Sequence, residues 1–283
     1  MSNTLIKTFP ISTGEPVFLR GTTNWLTVDV IAMPEISEVT CEARAYFLDE
    51  AALADTVRFW AEGNTVFFEA LPTFVKAIGP GRQPRLTVTV PEGCNLALVA
   101  TSGTLRVEGG VGEAQVRTQS GSIRIESAQS VVADATSGSI RLGRVGGARA
   151  HANSGSISAQ SVHGPFDLQA SSGSISVEDL IGEGRVAAKS GSIRIGDLTG
   201  DLTATANSGS IRIGRFFQGH LTLETTSGSQ KIGIAAGTAV LVDASVRGGV
   251  VRSDLGGADP AQHQRTGEIF ARAGHGTIRI HRA

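Results

Sequence analysis

The sequence predicts an all-β fold, a right-handed parallel β-solenoid (β-helix) built from coils of 17–19 residues, and three observations predict it. The first is a tripeptide that returns at a near-fixed step. Ser-Gly-Thr around Gly103 is followed by Ser-Gly-Ser centred on Gly121, Gly138, Gly155, Gly173, Gly191, Gly209 and Gly228, at steps of 18, 17, 17, 18, 18, 18 and 19 residues. A period of this length marks a repeat whose coils bury their faces only against their neighbours. The second is strict inward-outward alternation inside each period. The third is composition: 36 glycines against 5% aromatic and 18% charged residues suit a backbone that turns often around a narrow core. The right hand is expected because parallel crossovers almost always take it.

In chain order, residues 1–95 lack the tripeptide and form a β-rich N-terminal capping region. Segments 5–9, 17–20, 25–31, 39–47, 65–70 and 86–90 are rich in branched and aromatic residues and are bounded by Gly, Pro, Asn or Asp, which predicts strands. One short helix is expected from Glu50 to about Val57, with Asp49 capping its first free amides. Glu62-Gly-Asn64 reads as the turn of a hairpin, with Phe59, Trp60, Phe67 and Phe68 as core, and residues 72–84 read as an exposed loop.

With each glycine numbered zero, position +2 holds Leu105, Ile123, Ile140, Ile157, Ile175, Ile193 and Ile211 until Gln230 breaks the series, and +4 is apolar in every coil. Positions −7, −5 and −3 repeat the parity with small or branched residues, giving a second strand, and +7 supplies a third inward point from Val145 to Phe216. Ser-Gly-Ser is then the corner between two strands. Glycine is expected there for its freedom to take positive φ, and the serine hydroxyls for backbone groups that the bend leaves unpaired.

The solenoid is expected over 96–283, with a C-terminal capping segment from about 245. Gly248-Gly249 stands in for a corner, 254–266 reads as an exposed loop, and 269–273 with 277–280 as a last pair of strands.

Leu86-Thr-Val-Thr-Val-Pro-Glu-Gly93, the tandem Ser-Gly-Ser-Ile corners and the closing Gly276-Thr-Ile-Arg-Ile280 together resemble the bacterial putative-adhesin family of β-strand-repeat proteins, a domain of unknown function. The resemblance spans essentially the whole chain. It implies a right-handed β-solenoid and a non-catalytic, adhesin-like binding or scaffold role, with no catalytic residues to carry over.

The outward column at +3 is the candidate site: Arg106, Arg124, Arg141, Arg194, Arg212 and Lys231, interrupted only by Ser158 and Ser176. Cations stacked at the ~4.8 Å strand spacing invite a protein partner or an anionic polymer. The bland alternative is a solvated fan of side chains offset by Glu108, Glu126 and Glu178 at +5. The corner serines have no histidine with a carboxylate behind it at a matching place, so they read as a structural ladder and not as nucleophiles. His263, His275 and His281 fit no metal spacing, and no cofactor motif is present. The chain is therefore expected not to be an enzyme. Two further readings are a self-assembling, bactofilin-like element and a cell-wall polymer binder. Apparent covers at both ends count against the first, and the lack of an aromatic shelf beyond Phe217 counts against the second.

A formal net charge of −1 argues against nucleic acid as a partner. No signal sequence and no apolar run of membrane-spanning length is seen, which leads to the expectation of a soluble cytoplasmic monomer. Cys41 and Cys94 are expected to be free thiols.

Overall fold

The computed structural model describes residues 2–12, 14–24, 26–46, 50–70, 85–256 and 265–283. The chain divides into two compact units, Met1–Gly143 and Arg144–Ala283. Almost everything described is strand.

The first unit contains β1 (Ser2–Pro10), β2 (Phe18–Thr23), β3 (Thr27–Met33), β4 (Glu38–Tyr46), α1 (Glu50–Thr56), β5 (Val57–Glu62), β6 (Thr65–Ala70), β7 (Arg85–Pro91) and β8 (Asn95–Ser137). β9 (Ile140–Val145) carries the division between the units. The proposed cap for α1, Asp49, and the loop expected at 72–84 lie outside the described residues.

The N-terminal strands repeat the coil geometry without its sequence signature. β2 runs parallel to β8 with Phe18 beside Asn95, and β3 does so with Val28 beside Leu105. On their other side they pair in parallel with β6 and β7, Phe18 beside Thr65 and Thr27 beside Arg85. Residues 18–33 are thus one coil level between two others, and chain order is not spatial order. Antiparallel strands then close this stack: β5 on β6, β4 on β7, and β1 on β4. Strand alternation splits the aromatic group. Phe59 and Phe68 are buried, whereas Trp60 and Phe67 face outward and stack on each other at 5.1 Å.

The second unit continues through β10 (Ala148–Ser154), β11 (Ile157–His163), β12 (Phe166–Ser172), β13 (Ile175–Ser190), β14 (Ile193–Ser208), β15 (Ile211–Ser227), β16 (Gln230–Ile234), β17 (Thr238–Ser253) and β18 (Arg265–Arg282). Its pairings are parallel and repeat with the period of the sequence: Ile175 lies beside Ile193, Ile193 beside Ile211, and Ile211 beside Gln230. The predicted inward positions are buried, with Ile157, Ile175, Ile193, Ile211, Leu168, Val186 and Ala204 all fully inaccessible. The 19-residue step is absorbed by a register shift between Leu198 and Thr199.

Two local expectations change. The first concerns the corner glycines. Gly103, Gly121, Gly191, Gly209 and Gly228 take positive φ as expected, but Gly138 and Gly173 do not, and a methyl built on either would land on the carbonyl oxygen of the corner before it, Gly121 or Gly155. Close approach of neighbouring coils, rather than positive φ, demands glycine there. The serines act as expected: Ser174, Ser192 and Ser210 each donate a backbone N–H to the hydroxyl of Ser156, Ser174 and Ser192 in the preceding coil, at 3.3–3.4 Å.

The second concerns the end of the chain. The loop expected at 254–266 gives up Arg265 and Thr266 to β18, while 257–264 lies outside the described residues. β18 does not follow β17 outward. It inserts between β17 and the earlier coils, pairing with β15 (Leu221 beside Ile269), with β16 (Gln230 beside Ile278) and with β17 (Val242 beside Ile269). Gln230 stands where isoleucine stood in earlier coils, and its Nε2 donates to Arg272 O at 2.7 Å and to Thr225 Oγ1 at 3.2 Å.

Candidate partner-binding surface

Outward residues of neighbouring coils meet in register, so each coil position becomes a file of side chains about 4.8 Å apart. In several files opposite signs meet, although Asp179 beside Asp197 and Glu183 beside Asp201 set like charges together. Arg149 faces Asp167 at 3.7 Å, Arg117 faces Asp134 at 3.1 Å, and Arg215 chelates Asp197 through Nε at 2.7 Å and Nη2 at 2.5 Å. His163 likewise meets Asp179 at 2.9 Å.

The file at +3 differs. In the second unit Arg194 lies beside Arg212, Arg212 beside Lys231, Lys231 beside Arg279, and Arg279 beside Arg252. All five are exposed, and of the five only Arg279 has an ion pair among the described residues, with Asp254 at 3.0 Å. Arg279 and Arg252 also stand three residues after a corner, at Gly276 and Gly249, but their place in the file was not legible because β18 and β17 enter the stack out of chain order. Among the described residues no ion pair joins these cations to Glu108, Glu126 or Glu178. Glu126 instead accepts the Gly109 N–H at 3.0 Å.

In the first unit, Arg124 and Arg141 are exposed, but Arg106 is not equivalent to them. Its side chain is partly buried against Asp29, which is itself 7% exposed and lies 2.9 Å from Arg85 and 4.0 Å from Arg106. Arg106 therefore offsets a buried carboxylate that the N-terminal coil brings beside it.

A second constellation was missed. A surface cavity of about 940 Å³ is lined by Asp201, His220, Leu241, Arg265, Glu268 and Arg282 among others. His220 Nδ1–H donates to Asp201 at 3.1 Å, and its Nε2 lies 3.7 Å from Glu268. Hydrogen bonds from the backbone N–H and ring of His220 hold the Asp201 carboxyl below the usual carboxylate range. Glu268 arrives on the inserted β18, which is why sequence spacing hid it. His220 sits eight residues before its corner glycine, roughly 25 Å along the strand from the serine hydroxyls, so the pair does not activate them. Of the C-terminal histidines, His263 lies outside the described residues and His281 Nδ1–H donates to Ile232 O at 2.9 Å.

Cys41 and Cys94 are buried free thiols, each pushed up to about 12 by burial. Among the described residues no helix is long and apolar enough to cross a membrane.

No curated protein matches the sequence. Similar solved structures include a putative adhesin from Bacteroides fragilis, at 13% identity over 98% of this chain and 97% of that one with a TM-score of 0.43. A putative adhesin from Parabacteroides merdae matches at 9% identity over 99% and 96%, TM-score 0.38, and a putative lipid binding protein from Parabacteroides distasonis at 11% over 99% and 94%, TM-score 0.30. Residues 144–283 match the model of the family described as Toastrack DUF4097, with the same bounds as the second compact unit. That unit, with its stacked Ser-Gly-Ser corners and parallel coils, is a Toastrack DUF4097 domain.

Proposed function

We propose that the protein is a non-catalytic, adhesin-like binding protein that holds an acidic polymer or acidic protein surface along the file Arg194, Arg212, Lys231, Arg279 and Arg252. One observation carries this reading: several files elsewhere on the coils match a cation with a carboxylate, while this one sets five cations in succession. Two unit charges ~5 Å apart repel by about 0.8 kcal/mol even in water, and like charges directly opposite one another destabilise a sheet. An anionic partner turns that repulsion into binding energy. Because the file is exposed, the attraction falls as salt rises.

The test is binding of fluorescent heparin and of polyphosphate to the full chain across a salt series. The triple variant Arg194→Ser, Arg212→Ser, Lys231→Ser is compared with Arg149→Ser, whose guanidinium is already matched by Asp167. Binding that weakens with salt, is lost in the triple variant and persists in Arg149→Ser supports the reading. A triple variant that binds as tightly as wild type refutes it.

A further inference from the structure

The outermost strand of the second unit is unfinished. β17 pairs with β18 along all of its length, Thr238 beside Arg265 through Ser253 beside Ile280, and among the described residues no strand pairs with its opposite edge. The loss of a further coil shows in the core. At position +2, Ile193 and Ile211 are fully buried, but the equivalent Val251 is 39% exposed. Val240, Val242, Ala244 and Val246, the inward row of the same strand, are only half-buried. Val250 and Leu241 add exposed apolar surface, at 49% and 68%. Edge strands are normally blunted by proline, inward charge or short length. β17 has 16 residues, no proline, and only valine or alanine along its half-buried inward row.

We infer that this edge pairs with the same edge of a second copy, giving a two-fold, head-to-head dimer. The edge is complementary to itself. β17 bends at Gly248-Gly249, the equivalent of the corner, with Gly249 beside Gly276. A two-fold axis through that bend lays the stretch before it antiparallel on the stretch after it in the other copy. With Gly248 opposite the second copy's Gly249, inward residues meet inward ones: Val246 opposite Val251, and Ala244 opposite Ser253. On the outer face Ser245 meets Arg252, with the Asp243 carboxylate diagonal to it, a spacing that long side chains span. Symmetry makes every contact twice, as in an isologous interface.

The same register sets Arg247 opposite Val250, which supplies a signed test. Sedimentation velocity of the full chain between about 1 and 100 µM is expected to show a dimer. Val250→Lys places a cation opposite Arg247 in both symmetric contacts and should weaken dimerisation at least about tenfold, whereas Val250→Glu should preserve it. Val251→Lys, at a position whose side chain reaches solvent in the single chain, should also yield monomer, with circular dichroism confirming that each variant is folded. A wild-type monomer at 100 µM overturns the proposal, as it would if the edge took a strand from a different protein. So does a dimer indifferent to both lysine variants, or one weakened equally by Val250→Glu.

Discussion

Replacing Gly173 with alanine separates two reasons for a corner glycine. The backbone at Gly173 has no positive φ, so alanine meets no conformational penalty of its own. Its methyl, however, would sit on the carbonyl of Gly155, 2.6 Å from the carbonyl carbon, and 3.2 Å from Ser156 N. Both are backbone atoms of a stacked coil, and no flexible side chain can move aside. The coil spacing must therefore open, straining the hydrogen bonds from Gly155 N–H to Ser172 O at 3.2 Å and from Ile157 N–H to Ser174 O at 3.0 Å that join these two coils on either side of the contact. Forced overpacking costs about 1–3 kcal/mol, and the loss of one strained ladder bond adds about 1 kcal/mol, so about 2–4 kcal/mol is expected. Gly93→Ala is the matched control, with φ +79° and no atom within 4 Å of the new methyl. It feels only the left-handed backbone, at about 1–2 kcal/mol. Urea unfolding followed by circular dichroism reads both. The close-approach argument fails if Gly173→Ala proves no more destabilising than Gly93→Ala.

Two other outcomes follow from the same structure. Cys41 and Cys94, buried and pushed up to about 12, should be unreactive towards an aromatic disulfide reagent at pH 8 in the native protein and titrate as two thiols in urea; fast native labelling would contradict their burial. The hydrogen bond from Arg272 holds the Asp243 carboxyl below its ordinary range. A depressed folded value contributes stability that is complete above the unfolded value of about 3.9 and is lost as pH falls through the lower folded value. Carboxyl NMR should show the Asp243 midpoint rising in Arg272→Gln, and an unchanged midpoint would remove the pair from the account.

What could be read in the sequence was whatever repeats. Inward rows, corners and serine ladders recur at a fixed step because every coil faces the same neighbour, so Ile175, Ile193 and Ile211 could be stacked on paper and are stacked in the protein. What could not be read depends on strands that join the stack out of chain order. Residues 18–33 occupy a coil level although Leu26, rather than a glycine, stands beside Gly103, and this brings Asp29 beside Arg106 and takes that arginine out of the exposed file. At the other end, β18 returns to lie between β15 and β17, and three consequences follow together. Arg279 and Arg252 lengthen the basic file, Glu268 reaches His220, and β17 is pushed out to become the open edge. A chain that simply counted out its coils would have ended on β18. Because the last strand fills an inner level, the half-buried valines of the strand before it face outward along the stack, and the surface that most needs a partner is the one the period of the sequence gives no reason to expect.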